Sequence, residues 1–185
     1  MIKVFEFFLI ISSAILMGIS QHPLGLGFLS LFSLVPLFGI IQNLISYRDA
    51  IRVGVLWGII FNLISVYWIA FNIGTSPIIA FTTMVLSILI LTSGPVLIFT
   101  FWCMLNRRGV NIILLSFIWA TVELLRSYGT LGFPWVSISN SLINYNLIIQ
   151  NAEYVGIYGL SFWIVLVNIY IFRALYVRTR LQVML

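Results

Sequence analysis

The sequence predicts an all-α, polytopic transmembrane helix bundle of about six spans, with both termini in the cytoplasm. Of its 185 residues, 62% are hydrophobic and only 7% are charged, whereas a soluble domain usually has about a quarter of its residues charged. The apolar runs approach the roughly 20 residues that a spanning helix needs. The basic residues stand singly or in pairs at the ends of those runs, where they set the orientation of membrane helices.

The apolar runs and the breaks between them predict each span in order. The predicted spans are residues 4–20, 25–45, 53–72, 78–105, 112–127 and 156–176. The second span contains Pro36. The fourth contains Gly94-Pro95 in its middle, and the missing N–H of Pro95 is expected to kink this fourth helix. Residues 46–52 are predicted to form a polar loop. Residues 1–185 are interpreted as one transmembrane domain without a soluble domain.

Charge asymmetry predicts the orientation. With six spans, both termini share a side with the second and fourth loops. The basic residues of that side are Lys3, Arg48, Arg52, Arg107, Arg108, Arg173, Arg178 and Arg180. The opposite side has only Arg126 at its edge, so the positive-inside rule places both termini in the cytoplasm. Because the net charge of +5 is distributed in this way, nucleic acid is not expected as a partner.

The single cysteine, Cys103, and the single histidine, His22, limit the possible chemistry. One cysteine excludes an internal disulfide and a Cys-rich metal site, and one histidine is too few for a histidine cluster. No metal or cofactor is expected. Cys103 lies in an apolar run without an acid, a histidine or a lysine nearby in sequence, so we interpret it as a structural residue.

Glu123 and Arg126 are unusual residues for a membrane helix. The helical rise from residue 112 puts them about 17 and 21 Å along a hydrocarbon layer of about 30 Å. A charge at the centre of that layer costs about 2.5–3.5 kcal/mol, which disfavours exposure to lipid. Their i, i+3 spacing places the two residues on one face of the helix, where they can pair.

The stretch that follows, residues 129–135, breaks the helix at membrane depth. Irregular backbone survives there only against protein or water. We therefore predict a cavity open to the external side, with the two charges as its floor. Its predicted wall is Phe133, Pro134 and Trp135. The alternative is a buried ion pair that only fixes helix packing.

Three further patterns predict packing or a surface helix. A small and polar stripe on the third span predicts close helix packing, and it consists of Gly54, Gly58, Asn62 and Ser65. Asn168 predicts a hydrogen bond between helices. Residues 136–155 have an apolar and a polar helical face, which is typical of a helix lying on the outer leaflet. A plain surface loop is equally compatible with this segment.

Five short motifs occur in one order along the chain. They are Gly54-x-x-Trp57-Gly58, Tyr67-Trp68-Ile69, Trp119-x-x-x-Glu123-x-x-Arg126, Gly132-Phe133-Pro134-Trp135 and Val155-Gly-Ile-Tyr-Gly-Leu-Ser-Phe162. This ordered series resembles the N-terminal membrane region of apolipoprotein N-acyltransferase. The resemblance runs from Met17 to Arg173, which is nearly the whole chain.

The resemblance implies an enzyme of the bacterial cytoplasmic (inner) membrane that completes lipoprotein maturation. Such enzymes take an acyl chain from a phospholipid, hold it as a thioester, and transfer it to the α-amino group of a diacylglyceryl-cysteine. A Glu-Lys-Cys set in an external nitrilase-like domain does the chemistry. A carboxylate base, a lysine that stabilises the oxyanion and a thiolate nucleophile suit this two-step transfer.

This chain differs from the family pattern because it lacks residues that match the catalytic Glu-Lys-Cys set. Its only lysine is Lys3 and its only cysteine is Cys103, so no catalytic residue carries over. We expect a truncated or split membrane domain that is inactive alone. Its expected partners are phospholipid, diacylated apolipoprotein, the membrane and a separate nitrilase-like domain. By the resemblance, the expected substrate-binding residues are Trp57, Trp68, Glu123, Arg126, Gly132, Phe133, Pro134 and Trp135. The alternative is a lipid-binding or lipid-moving protein without catalysis.

Overall fold

The structure, a computed structural model, describes the backbone of residues 3–129 and 132–183, and side chains as far as residue 176. Several sequence predictions therefore lie outside the described residues. They concern Thr130 and Leu131 in the predicted irregular stretch, the two chain ends, and the side chains of Arg178 and Arg180.

The described residues form helices and irregular segments, with no strand among them, which confirms the all-α membrane bundle. The α-helices are α1 Val4–Ser20, α2 Ser30–Ser33, α3 Val35–Ile41, α4 Tyr47–Val66, α5 Pro77–Asn106, α6 Leu114–Arg126, α7 Asn146–Ile149 and α8 Ala152–Val183. Short 3-10 turns lie at Gly27–Leu29, Tyr67–Phe71, Pro134–Val136 and Ile138–Leu142. Within the described part, three helical segments are long and apolar enough to cross a membrane: Tyr47–Phe71, Pro77–Asn106 and Ala152–Tyr176.

The second predicted span, residues 25–45, is broken rather than continuous. The break separates α2 from α3 at Leu34, two residues before Pro36. Asn168 of α8 fills the gap in the backbone ladder: its Oδ1 accepts from the Leu34 N–H at 2.9 Å, and its Nδ2 donates to the Ser30 carbonyl at 2.8 Å. These two groups would bond each other in an unbroken helix. The predicted interhelical hydrogen bond of Asn168 is therefore confirmed.

The predicted polar loop over residues 46–52 is wrong, because α4 already begins at Tyr47. Asp49 lies in the first turn of α4, where a negative charge stabilises the positive end of the helix dipole. It also pairs with Arg52 at 3.2 Å in an i, i+3 arrangement. The polar residues thus extend the third predicted span instead of preceding it.

Helix α4 packs most extensively on α5, along the small and polar stripe that predicts close packing. A Cβ atom added at Gly54 would lie 2.7 Å from the Val96 Cα, and one added at Gly58 would lie 3.0 Å from a Thr92 methyl carbon. Asn62 extends this contact with a 3.5 Å hydrogen bond to the Thr92 hydroxyl. The backbones approach because the side chains are absent, as expected for helix pairs in membranes.

The first part of the segment 136–155, residues 136–142, is neither a surface helix nor a surface loop. Its first residues form two 3-10 turns in which Val136, Ile138 and Leu142 are almost fully buried. Ser137 and Ser141, which the helical pattern places opposite the apolar face, are buried as well, and so is Ser139. The helical-face argument fails because the segment folds inward and packs against α8 and α4.

Candidate functional site: a charged centre beneath an irregular segment

Helix α6 ends at the level of the middle of α5. The Arg126 Nη1 atom donates to the Leu91 carbonyl oxygen at 3.3 Å. Leu91 lies 14 residues after Pro77 (91 minus 77) and 15 before Asn106 (106 minus 91). At 1.5 Å per residue this is about 21 Å from either end of α5. The guanidinium therefore reaches the centre of the longest apolar helix of the described chain.

Two residues of α5, Gly94 and Pro95, create the site that the Arg126 guanidinium occupies. Pro95 has no N–H, so the Leu91 carbonyl four residues earlier lacks its partner in the helix. Gly94 leaves room for the incoming side chain, because a Cβ atom there would lie 2.8 Å from the Arg126 Nη1. An unpaired carbonyl costs several kcal/mol in a bilayer. Arg126 relieves part of that cost.

Glu123 binds the irregular segment that follows α6, of which residues 132–145 are described. Its Oε1 atom accepts from the backbone N–H of Ile138 at 3.0 Å and from the indole N–H of Trp119 at 3.1 Å. Next to Ile138, the Ser139 N–H donates to the Ser161 hydroxyl of α8 at 3.3 Å. Only 5% of Glu123 is exposed, so a single buried carboxylate joins α6 to the irregular segment.

The predicted direct pairing of Glu123 with Arg126 is not found. Among the described residues, the ion pair within 4.0 Å is Arg52–Asp49. The two side chains turn to different partners, since each satisfies a backbone group of a neighbouring segment. The second carboxylate oxygen, Oε2, has no hydrogen-bond partner among the described residues. The charges still interact over a longer distance.

A small cavity separates these charges. Its volume is about 10 Å³, and its lining includes Glu123, Arg126, Trp57 and Trp119. Such a volume holds about one water molecule. The predicted cavity open to the external side is thus nearly filled in this structure, because Val136 and Ile138 of the irregular segment also line it.

The two predicted tryptophans have different surroundings. Trp57 is fully buried, donates to the Ser13 hydroxyl at 3.1 Å, and stacks on Phe61 with ring centroids 4.7 Å apart. It also meets Trp119 edge to face at 5.7 Å. Trp68 is 54% exposed and lies outside this cavity.

Trp68 belongs to a separate groove of about 330 Å³. This groove is lined by Gln21, His22, Pro23, Ser65, Tyr67 and Trp68. Within it, the His22 ring stacks on Tyr67 at 5.4 Å, and its Nε2 lies 3.0 Å from the Ile64 carbonyl oxygen. The structure therefore separates Trp68 from Glu123 and Arg126.

The predicted wall residues 132–135 divide into two kinds. Gly132 donates to the Gly129 carbonyl, and a Cβ atom there would collide with the Ser127 carbonyl oxygen. Phe133 is partly buried and packs against the core. Pro134 and Trp135 point outward, and 73% of Trp135 is exposed. The first two shape the turn, and the last two form surface.

Sequence reasoning missed the partners of the charges. Pro95 marks a free carbonyl at Leu91, so that acceptor could have been found from the sequence. No residue near Ile138 gives a comparable indication, because an apolar sequence does not show which of its backbone N–H groups contacts a carboxylate 15 positions away. Cys103 is fully buried within α5, and Lys3 is exposed at the start of α1.

The matched residues decide the family. The sequence-family model of the apolipoprotein N-acyltransferase N-terminal domain matches residues 13–170, which include Glu123 and Arg126, the charged centre. The chain belongs to this family.

Two curated relatives agree with this assignment. The apolipoprotein N-acyltransferase of Geobacter metallireducens is 29% identical over 175 residues, which is 91% of this chain and 33% of that protein. That of Chlorobaculum tepidum is 27% identical over 168 residues, which is 88% of this chain and 30% of that protein. The chain thus spans about a third of the length of these N-acyltransferases. No solved structure matches it significantly.

Proposed function

We propose that these 185 residues form the membrane domain of a phospholipid:apolipoprotein N-acyltransferase of the bacterial cytoplasmic membrane. In this role the domain holds phospholipid and diacylated apolipoprotein for a nitrilase-like catalytic domain. The observation that carries the proposal is the N-terminal domain match over residues 13–170, which encloses a buried carboxylate and an arginine at mid-membrane depth. Ionisable residues at that depth mark functional sites by default.

The charged centre is proposed as the floor of the lipid site. Within residues 3–129 and 132–176, one carboxylate oxygen of Glu123 has no hydrogen-bond partner, and the five N–H donors of the Arg126 guanidinium make one hydrogen bond. Both therefore retain capacity for a polar head group. Movement of the irregular segment away from the cavity would expose them. The water-sized cavity is then the closed form of the site.

The other predicted substrate-binding residues fall into two groups in this proposal: some shape the site through packing, and others are exposed and can contact a partner. Trp57, Gly132 and Phe133 act through packing around the cavity and the turn that covers it. Trp68, Pro134 and Trp135 are exposed, so they are free to contact lipid or the catalytic domain. An amphipathic indole ring suits the membrane–water interface.

We propose six spans with both termini in the cytoplasm, with α6 and the irregular segment after it together making the fifth crossing. Reporter fusions after Asn72 are expected to read external, and fusions after Arg108 and Leu185 cytoplasmic, because the basic residues favour that side. Alkaline phosphatase and green fluorescent protein activities measure the two locations. An external location for a fusion after Leu185 contradicts the number of spans.

We expect these residues alone not to acylate lipoproteins. Thioester chemistry requires a reactive thiolate, and Cys103 is fully buried in α5. The measurement uses the purified chain in vesicles with phospholipid and a diacylated lipopeptide, with and without an added nitrilase-like domain. Mass spectrometry follows the lipopeptide and Cys103, and Cys103→Ala is the control. Acyl transfer by the chain alone, or an acyl adduct on Cys103, contradicts the proposal.

A further inference from the structure

A second apolar feature lies between α5 and α6, next to the cavity that Glu123 and Arg126 line. It is a groove of about 300 Å³ with an almost wholly apolar lining. The lining residues begin at Leu105 and Leu114, where the two helices are joined, and continue to Thr121 and Leu125. Phe101 and Phe117 lie along its length and are about half exposed. The groove is separated from the charged centre by Val122, which lines both cavities.

Two arginines stand at the loop end of this groove. Arg107 and Arg108 follow Asn106, the last residue of α5, two and three positions after Leu105, and both are exposed. The Arg107 guanidinium lies 5.3 Å from the centre of the Tyr47 ring, a cation–π contact between this turn and the start of α4. In the described part of the chain, neither arginine has a carboxylate within 4.0 Å.

The neighbourhood adds to this positive charge. Arg173 of α8 donates to Asn111 Oδ1 of the same loop at 2.6 Å. Asp49 of α4 is already paired with Arg52. An apolar channel along two membrane helices that ends in unneutralised arginines has the charge and shape of a phospholipid site with an anionic head group.

We propose that this groove binds one acyl chain of an acidic phospholipid whose phosphate is held by Arg107 and Arg108. The chain lies along α6 beside Phe117 and Thr121. The arginines supply charge-assisted hydrogen bonds to the phosphate oxygens. The site needs only the geometry of α5 and α6, so it does not depend on the acyltransferase assignment.

Photolabelling in lipid nanodiscs tests this site with the full chain. The probes are phosphatidylglycerol and phosphatidylcholine, each with the same photoreactive acyl chain and each present as a trace in phosphatidylcholine. Peptide mass spectrometry locates the adducts. Phosphatidylglycerol is expected to label the groove residues at least tenfold more than phosphatidylcholine does, because each of the two arginines contributes about fivefold near a membrane surface.

Two pairs of variants separate the site from general attraction to the membrane. The double variant Arg107→Gln, Arg108→Gln is expected to lower labelling by phosphatidylglycerol to the phosphatidylcholine level. The matched control Arg48→Gln, Arg52→Gln removes two charges at the start of α4 and should keep the preference. Thr121→Phe fills the groove and should reduce labelling severalfold, whereas Thr83→Phe, at an exposed position elsewhere on α5, should not.

The result decides between a site and bulk lipid contact. Preference for phosphatidylglycerol that follows Arg107 and Arg108, and adducts on the groove residues, support the proposal. Equal labelling by both lipids overturns it. So does an equal loss of preference in the control pair, because the effect then comes from the total charge of the chain. Adducts concentrated on another helix face also overturn it.

Discussion

Glu123→Leu is expected to destabilise the bundle by about 3 kcal/mol or more. The substitution leaves the Ile138 N–H and the Trp119 indole N–H without an acceptor inside the protein, and each buried unpaired donor costs about 1–3 kcal/mol. Glu123→Gln is expected to cost less than half as much, because the amide oxygen can still accept from both donors. Denaturation in mixed detergent micelles, followed by tryptophan fluorescence, measures the difference.

A double-mutant cycle with Arg126 tests the arrangement of the two charges. Because Glu123 and Arg126 satisfy different backbone groups, the costs of Glu123→Gln and Arg126→Gln should add to within about 1 kcal/mol. A directly bonded pair behaves differently, since removal of one partner then costs more than removal of both. A double variant that is more stable than Glu123→Gln alone would contradict the separated arrangement. Equal damage by glutamine and leucine at this position would contradict the acceptor role.

Trp57→Ala is expected to cost about 3 kcal/mol and to lower the amount of folded protein. The side chain is fully buried, contacts the rings of Phe61, Phe99 and Trp119, and donates to Ser13. In a bilayer the loss comes from van der Waals contacts and the cavity left behind, because lipid is as apolar as the helix interface. The same denaturation measurement reports this loss.

Trp68→Ala is the matched control for Trp57→Ala. Trp68 is 54% exposed and its indole N–H bonds locally to the Ser65 carbonyl, so its removal should cost less than about 1 kcal/mol. If Trp68 contacts lipid or the catalytic domain, its loss changes lipid binding without changing stability. A large loss of stability from Trp68→Ala, or none from Trp57→Ala, would reverse the roles assigned to the two residues.

The sequence predicted those parts of the fold that depend on local hydropathy. The limits of α1 and α5 agree with the apolar runs closely, and the glycine stripe of α4 packs on its neighbour as its small residues indicate. Hydropathy succeeds here because a spanning helix satisfies its own backbone groups. Each residue then needs only to be compatible with lipid or with a close neighbour.

The sequence did not predict the parts of the fold in which a side chain from a distant position supplies the hydrogen-bond partner of a backbone group. The break at Leu34 is stabilised by Asn168, which lies 134 positions away in the chain. The burial of residues 136–142 depends on Glu123, which supplies an acceptor that no local pattern reveals. Both charges of the candidate site could be chosen from sequence because they are costly in a membrane. The partners of these charges, and the small cavity that both line, could be found only from the folded structure.

A chimeric enzyme tests the central claim most directly. In it, this chain replaces the matching N-terminal third of the Geobacter metallireducens apolipoprotein N-acyltransferase, and transfer of an acyl chain from phospholipid to a diacylated lipopeptide is measured in vesicles. We expect the chimera to transfer the chain, and the chimera with Glu123→Leu to lose that activity. A chimera that inserts and folds but transfers nothing, while the parent enzyme is active in the same vesicles, would contradict the proposal that this domain holds the lipid substrates.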